Sequence, residues 1–288
     1  MRKAWKWLGR LAAYGLSERC MAKVYHIDPA PPVVPADAAA VARGKHIVET
    51  RGCTDCHGQD LGGATFIDDL LFARFSGTNL TAGGPGGQLT DADRVRAIRH
   101  GVAPDGRSLL FMPAQDFSGL SDADMGDLLA YLHQVPAVDH VTLVNRVGPI
   151  ARVLFVLGEM PLLPAEVVAH AVAAHPAQSP PVGPTAAYGA YLATSCSGCH
   201  HEDFAGGHVA GTPANWPDAA NLTPDPSGLA GWSEADFRTA LRDGVAPGDR
   251  KTQTDYMPVR VTRHFSDEEI SALYAFLHSL PPRPQRHG

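Results

Sequence analysis

Two copies of one five-residue motif carry the clearest chemistry in this 288-residue chain. The first copy, Cys53–His57, reads Cys-Thr-Asp-Cys-His, and the second copy, Cys196–His200, reads Cys-Ser-Gly-Cys-His. Two thiols one helical turn apart can form thioether bonds to the vinyl groups of a porphyrin, and the adjacent histidine can bind its iron. The sequence therefore predicts two covalently bound c-type haems, attached through Cys53, Cys56, Cys196 and Cys199, with His57 and His200 as axial ligands.

A zinc knuckle and a thioredoxin-like redox pair are the alternatives for a Cys-x-x-Cys sequence. Zinc would need two further thiolates or imidazoles at ligand spacing for each site. A redox pair would lie beside a strand-helix-strand pattern. Neither context is visible in the sequence, and the duplication of the motif inside a wider repeat argues against chance.

The repeat extends well beyond the cysteines. Both halves contain Asn-Leu-Thr, at 79–81 and 221–223, and both contain an aromatic-Met-Pro segment, at 111–113 and 256–258. Between these lies a helical segment that ends in Gly with a Pro nearby, which is a normal stop signal. The halves are offset by 143 positions at the first cysteine and by 145 positions from the methionine onward, so only small insertions separate them.

Four helix starts are marked by a hydroxyl residue followed three positions later by an acid, which is a capping pattern. They are Thr90 with Asp93, Ser121 with Asp124, Ser233 with Asp236, and Ser266 with Glu269. Apolar residues follow at helical spacing, and no comparable run alternates apolar and polar residues. We predict an all-α fold of two small domains, at 37–138 and 183–288, with an N-terminal segment at 1–36 and an extended linker at 139–182.

The sixth ligand of each iron decides whether the haem passes electrons or binds an external ligand. Met112 and Met257 are the methionines that match between the halves. The proline after each one favours an extended backbone, which suits a loop that lays the side chain across the distal face of a haem. The alternative is an ordinary core methionine, and we favour the ligand.

Histidines are the rival axial ligands. His133 and His278 match across the repeat, and both lie in the last turn of the final helix, where the helix dipole favours a partly cationic imidazole. We favour that structural role for both.

One Asn-Leu pair and one arginine complete the candidate cofactor-binding residues of each half. They are Asn79, Leu80 and Arg99 in the first half, and Asn221, Leu222 and Arg242 in the second. We expect each Asn-Leu pair along the proximal edge, with the leucine on the porphyrin and a nearby carbonyl holding the axial histidine by its other nitrogen. Each arginine could pair with haem propionates or lie on a solvated helix face.

With these residues considered, both halves resemble the class I c-type cytochromes, over about 37–138 and 183–282. More narrowly, Asn-Leu-Thr, the stretch 231–237 and the aromatic-Met-Pro segments are similar to the multihaem cytochrome subunits of membrane-bound alcohol and sugar-acid dehydrogenases. The resemblance implies the axial pairs His57 with Met112 and His200 with Met257. The family often has a proline before the Asn-Leu pair, where this chain has Thr78 and Ala220.

The same resemblance implies transfer of electrons from a periplasmic dehydrogenase toward a respiratory or photosynthetic acceptor, such as an oxidase or another cytochrome. The alternative is a dihaem enzyme with one open haem, a peroxidase or a thiosulfate-oxidising cytochrome. An open site would make the halves differ, whereas both keep the methionine, so we expect an electron carrier without catalytic residues. The net charge of −6 disfavours nucleic acid and suits a basic docking surface on a partner.

Haem c is attached outside the cytoplasm, so we expect a periplasmic location or the outer face of a membrane. The start of the chain is a weak signal, because its apolar stretch Leu11–Leu16 is shorter than the usual signal core of about 7 to 15 residues. With Trp5 and the basic residues around it, the segment could instead form a helix on an anionic membrane surface. Those basic residues are Arg2, Lys3, Lys6 and Arg10. We expect a free thiol at Cys20, and a linker whose apolar part packs against both domains.

Overall fold

The computed structural model describes residues 13–171, 175–213, 215–252, 254 and 256–286. The basic N-terminal segment, with Arg2, Lys3, Lys6 and Arg10, lies outside the described residues, and residues 13–21 are helical. Within the described part of the chain, every helix is too short or too polar to cross a bilayer.

Domain 1 (37–138) contains five α-helices and two strands. In chain order they are α1 (Ala38–Thr50), α2 (Cys53–His57), β1 (Ala64–Asp68), β2 (Ala73–Gly77), α3 (Asp91–His100), α4 (Ala114–Phe117) and α5 (Asp122–Leu132). The linker (139–182) adds a strand and two helices: β3 (Arg146–Val147), α6 (Pro149–Val156) and α7 (Pro164–Val167).

Domain 2 (183–288) repeats the helical plan of domain 1. Its elements are α8 (Ala186–Leu192), α9 (Ser197–His200), α10 (Glu234–Asp243), β4 (Val245–Ala246), β5 (Arg250–Lys251), α11 (Val259–Thr262) and α12 (Asp267–Ser279). A short 3₁₀ turn, Ala193–Cys196, joins α8 to α9.

The four predicted helix starts are confirmed. Thr90, Ser121, Ser233 and Ser266 each accept a hydrogen bond from the backbone N–H three residues later. At three of them the acid returns the bond and completes a capping box. Both α3 and α10 end at a left-handed glycine, Gly101 (φ 63°) and Gly244 (φ 68°), as the stop signals predict.

A glycine sets the crossing of the first and last helices in each domain. A Cβ atom on Gly44 of α1 would lie 2.0 Å from the Asp127 carbonyl oxygen of α5. A Cβ atom on Gly189 of α8 would lie 1.9 Å from the Ala272 carbonyl oxygen of α12. The two backbones therefore approach too closely for any side chain at either glycine.

The prediction of an all-α fold is wrong in one respect, because the described residues are mainly helical but also form two small sheets. The larger is antiparallel in the order β1-β2-β3, and the smaller pairs β4 with β5. A bulge between Thr65 and Ile67 shifts the register of β1 against β2. This bulge interrupts the alternation of a five-residue strand, so no period-two pattern marked it in the sequence.

The linker contributes to the core of domain 1. Its strand β3 pairs with β2, with Val147 opposite Ala73. A cluster of buried apolar residues joins the sheet to the linker, and it consists of Ala73, Phe75, Val147, Ala151, Met160, Leu162 and Leu163. Met160 also approaches domain 2, since a Cβ atom on Gly211 would lie 3.4 Å from its Cγ atom. The apolar part of the linker thus contacts both domains.

Two of the contacts between the domains occupy equivalent positions in the repeat, as a twofold rotation would place them. His46 of α1 binds Glu269 at the start of α12, at 2.8 Å. Tyr191 of α8 donates to Asp124 at the start of α5, and its hydroxyl accepts from the Ser121 N–H at 2.9 Å. His46 and Tyr191 each lie two residues after the crossing glycine of their helix. The first helix of each domain therefore contacts the start of the last helix of the other.

Candidate haem sites

Each haem-attachment motif folds as a single helical turn. In domain 1, α2 begins at Cys53 and ends at His57, and left-handed glycines, Gly52 (φ 70°) and Gly58 (φ 80°), flank it. In domain 2 the 3₁₀ turn ends at Cys196, and α9 ends at His200. Both thiols and the imidazole of each motif therefore come from one short turn, as attachment to a porphyrin requires.

The two motif histidines make the same hydrogen bond. Nδ1 of His57 donates to the Thr78 carbonyl oxygen at 2.7 Å, and Nδ1 of His200 donates to the Ala220 carbonyl oxygen at 2.7 Å. A carbonyl only accepts, so the proton is on Nδ1 and the lone pair of Nε2 is left for a metal. Burial lowers the pKa of both imidazoles, which keeps them neutral. The expected carbonyl support is present, although neither Thr78 nor Ala220 is proline.

Cys53 and Cys196 pack against the apolar cores of their domains, and Cys56 is partly buried. Burial raises the pKa of Cys53 to about 12, and those of Cys56 and Cys196 to about 11. Zinc binding and disulfide exchange both use the thiolate form, so these environments disfavour the zinc and redox-pair alternatives.

The structure brings one cysteine, the leucine and the methionine of each half together. Cys53, Leu80 and Met112 are each partly buried against the apolar cluster of domain 1 that includes Val48 and Leu129. In domain 2 the equivalent cluster includes Ile270 and Leu273, and the residues packed against it include Cys196, Leu222 and Met257. Each side chain has one side on the core and another accessible, which fits a flat apolar group held between them.

The methionine loops have the same local geometry but different support. The carbonyl of each methionine accepts a hydrogen bond from the residue two positions later, at 2.8 Å in both domains. In domain 1 the preceding Phe111 has a left-handed backbone (φ 64°), stacks on Phe75 at 4.9 Å, and donates its N–H to the Leu162 carbonyl oxygen at 3.0 Å. In domain 2 Tyr256 instead meets the edge of Trp216 at 4.7 Å.

Asn79 and Asn221 connect each Asn-Leu-Thr segment to the chain that follows the last helix. Nδ2 of Asn79 donates to the Val138 carbonyl oxygen at 2.8 Å, and Nδ2 of Asn221 donates to the Arg283 carbonyl oxygen at 2.6 Å. In both, Oδ1 accepts from the N–H of the threonine two residues later at 2.9 Å. Both asparagines are buried and act as clamps, a role that the sequence analysis did not assign.

Arg99 and Arg242 both bind the start of their domain's last helix. Arg99, 2 % exposed, contacts Asp122 and the Leu120 carbonyl oxygen, both at 2.9 Å. Arg242 contacts Asp267 at 2.6 Å and the Phe265 carbonyl oxygen at 3.3 Å. The solvated-face alternative is therefore wrong for Arg99, and pairing with propionates stays a prediction for both arginines.

The rival histidines have protein partners near their own helices. His133 lies 2.7 Å from Asp91 at the start of α3. His278 contacts the Tyr274 carbonyl oxygen at 3.2 Å, and its ring lies 3.9 Å from the Tyr274 ring. These contacts support the structural role that the helix-end position predicts.

Comparison with known proteins identifies the family of this chain. A model of the cytochrome c family matches residues 41–136 and matches again at residues 186–281. The chain belongs to the cytochrome c family. It consists of two cytochrome c domains in tandem, and each domain carries one covalently bound haem c.

Similar proteins with established names include cytochrome subunits of dehydrogenases. The chain is 31% identical to the "Alcohol dehydrogenase (quinone), cytochrome c subunit" of Gluconacetobacter polyoxogenes, over 88% of this chain and 58% of that protein. It is 30% identical to the "Gluconate 2-dehydrogenase cytochrome c subunit" of Pantoea cypripedii, over 85% of this chain and 60% of that protein. It is 26% identical to the "Fructose dehydrogenase cytochrome subunit" of Gluconobacter japonicus, over 89% of this chain and 56% of that protein. The chain thus spans less than two thirds of these relatives.

Proposed function

We propose that this chain is a dihaem electron-transfer protein that accepts electrons from a periplasmic dehydrogenase and passes them to a respiratory or photosynthetic acceptor. The observation that carries the proposal is the agreement between the halves. Each half has two motif cysteines, a histidine bonded through Nδ1 to a carbonyl, and a methionine and a leucine on the same core. The dehydrogenase subunits to which the chain is similar support the kind of donor.

The residues have distinct tasks in this proposal. His57 with Met112, and His200 with Met257, are the axial ligands, and the four motif cysteines form the thioether bonds. A haem c ligated on both faces by protein exchanges single electrons and leaves no position for a substrate. Leu80 and Leu222 cover the porphyrin and exclude water, while Thr78 and Ala220 fix the orientation and protonation of the imidazoles.

An absorption spectrum of the purified native protein tests the ligation. We expect low-spin spectra from both haems, the weak near-red band of methionine-ligated ferric iron, and no change with carbon monoxide. Binding of carbon monoxide to half of the haem would instead favour an enzyme with one open site. A dihaem peroxidase or a thiosulfate-oxidising cytochrome is the alternative that this result would support.

Mixing experiments test the donor. We expect both haems to be reduced when the protein is mixed with a periplasmic dehydrogenase that oxidises an alcohol, gluconate or fructose, together with its substrate. The same mixture without substrate is the control. Failure of all three dehydrogenases to reduce either haem would contradict the proposed donor class. The haem ligation would be unaffected by this result, because the absorption spectra test it separately.

We also propose that the protein is associated with the periplasmic face of an anionic membrane. Helix α6 is apolar on every side apart from Arg152, which turns toward the helix at 13–21: it contacts Ser17 at 2.8 Å and lies 4.3 Å from the Tyr14 ring. An apolar helix is normally covered. Helix α6 and the β1–β2 turn beside it together present an apolar face to solvent. Its exposed residues are Leu70, Leu71, Ile150, Val153, Val156 and Leu157. The adjoining helix follows directly on the basic, tryptophan-containing N-terminal segment, and this combination favours a lipid surface.

Vesicle sedimentation tests the membrane surface. We expect the full chain to bind vesicles that contain anionic lipid and to bind neutral vesicles more weakly. Leu157→Glu and Leu71→Glu should each reduce binding, because a charge placed in the apolar face opposes insertion. Exposed Val33→Glu, which lies outside this face, is the control. Unchanged binding of both face variants would contradict the proposed surface.

A further inference from the structure

One arginine connects the two haem-attachment segments directly. Arg51 lies two residues before the motif of domain 1, yet its guanidinium reaches domain 2. Nη1 lies 3.0 Å from the Leu192 carbonyl oxygen at the end of α8, 3.0 Å from Ser195 Oγ and 3.2 Å from Thr194 Oγ1. Ser195 immediately precedes the motif of domain 2. The guanidinium therefore holds the turn from which the second pair of cysteines emerges.

The position of Arg51 has no equivalent cation in the other half. Two residues before the second motif the chain has Thr194, which is one of the groups that Arg51 binds. The contacts of Arg51 across the interface therefore have no counterpart in the other half. A single guanidinium thus serves both attachment segments.

The charge of Arg51 is not balanced by an ion pair in the described part of the chain. Its hydrogen-bond acceptors are carbonyl and hydroxyl oxygens, which are neutral, and the residue is 8% exposed. Asp116 of α4 lies near the second motif, where a Cβ atom on Gly198 would be 3.1 Å from its Oδ2. Burial raises the pKa of Asp116 to about 7, and Arg51 acts to lower it. A buried positive charge that forms no ion pair with the described residues therefore lies between the segments that carry the two haems.

The reach of this charge covers both motifs. Burial raises the pKa of Cys53 and of Cys196, and in both thiols the positive charge of Arg51 acts in the opposite direction. Each of these sulfur atoms is one of the two that attach the porphyrin of its domain. A positive charge that acts on both attachment points also favours the reduced, less positive state of each iron.

We propose that Arg51 is a positioning residue that fixes the two haem-attachment segments against each other and, through its positive charge, raises the reduction potential of both haems. The proposal rests on the electron-transfer function, and it adds the residue that couples the two redox centres. It also predicts that geometry and potential can be separated by changing the charge and the hydrogen bonds of this side chain one at a time.

Redox titration of the purified two-haem protein tests the proposal with two substitutions at one position. Arg51→Gln removes the charge, and we expect both midpoint potentials to fall by at least about 59 mV. For a one-electron couple this is a tenfold change in the oxidised-to-reduced ratio. Arg51→Lys keeps the charge but loses the planar fork. We expect it to keep both potentials near those of the unchanged protein and to lower the thermal midpoint of unfolding.

Lys45→Gln is the matched control, because it removes an exposed cation from the helix that leads to Arg51. We expect it to leave both potentials unchanged. Should Arg51→Gln fail to take up haem, Thr194→Glu neutralises the guanidinium in place, and both potentials should fall in that variant as well.

A lower thermal midpoint with unchanged potentials in Arg51→Gln would show that the residue is only structural, and a fall at one haem alone would contradict its action on both. These potentials are measured with chemical mediators and without a partner protein. Failure of a dehydrogenase to reduce the unchanged protein would therefore contradict the proposed donor and leave the test of Arg51 intact.

Discussion

The methionine loops of the two domains reach the same local geometry with different means of support. In domain 1 Phe111 stacks on the sheet and its backbone bonds to the linker, whereas in domain 2 Tyr256 meets Trp216 edge-on. Phe111 also carries the cost of a left-handed backbone, on the order of 1–3 kcal/mol. The residues around this loop therefore differ between the domains, while the aromatic side chain that precedes the methionine is packed against another ring in both.

The largest effect is expected from the methionines themselves. Met112→Ala and Met257→Ala should each open one haem to carbon monoxide and lower its potential by on the order of 100 mV, since axial ligands set potentials over about 0.8 V. Spectroscopy and redox titration of each variant check this. If either substitution leaves both the spectrum and the potential unchanged, the axial assignment of that methionine is wrong.

The asparagine clamps should matter equally in both domains. Asn79→Ala and Asn221→Ala each leave buried acceptors and donors without partners, so each should lower the free energy of unfolding by about 3 kcal/mol. Chemical denaturation measures the loss, with exposed Gln134→Ala as the control. A markedly smaller loss in one domain would show that its clamp is replaceable.

The aromatic supports should matter unequally. Phe111→Ala removes a stacked ring that joins the sheet and should cost about 2 kcal/mol, while Tyr256→Ala should cost about 1 kcal/mol, because it removes a single edge contact. Thermal and chemical unfolding of both variants check the difference. Equal losses would mean that the sheet adds nothing to the support of the Met112 loop.

The smallest effect is a pH dependence confined to one of the two equivalent contacts between the domains. The hydrogen bond to Glu269 raises the pKa of His46, and burial opposes it. Burial alone would raise the pKa of Glu269, but the hydrogen bonds from His46 and the Ser266 backbone lower it. The stabilisation from His46 is therefore complete below about pH 6.5 and is lost as the pH rises through its raised pKa. The part from Glu269 is lost as the pH falls below about 4.5.

His46→Gln should consequently destabilise the protein more at pH 5.5 than at pH 8, by about 1 kcal/mol or less, because His46 is partly exposed and screened. In the equivalent contact burial raises the pKa of Tyr191 to about 12. Tyr191→Phe should therefore cost the same at both pH values. A pH-independent effect of His46→Gln would contradict the ion pair.

Features that occur at the same place in both halves could be predicted from the sequence, and features without a recognised match in the other half could not. The motifs, the capped helix starts and the matching methionines stand at the same places in both halves, so comparing the halves identifies them. Arg51 was missed because its counterpart is Thr194, and a comparison of halves discards unmatched residues. The crossing glycines were missed because Gly44 lies nine residues before its motif and Gly189 seven.

Long-range pairing accounts for the remaining difference. Strand β3 lies about 70 residues after its partner β2. Because β3 is only two residues long, its sequence shows no strand periodicity. The clamp made by Asn79 depends on the carbonyl of Val138, whose position follows from the path of the chain after α5. Such contacts are set by tertiary packing rather than by local pattern.

The pairing of β3 with β2 also shows that the sequence repeat and the packed structural unit of domain 1 end at different residues. The segment that recurs in sequence ends near residue 138, but the edge strand and the apolar cover that protect Phe75 come from residues further along, up to about Leu163. A fragment cut at the end of the recurring segment would expose a bare strand edge. The segment that recurs in sequence is therefore smaller than the structural unit that domain 1 forms with the linker.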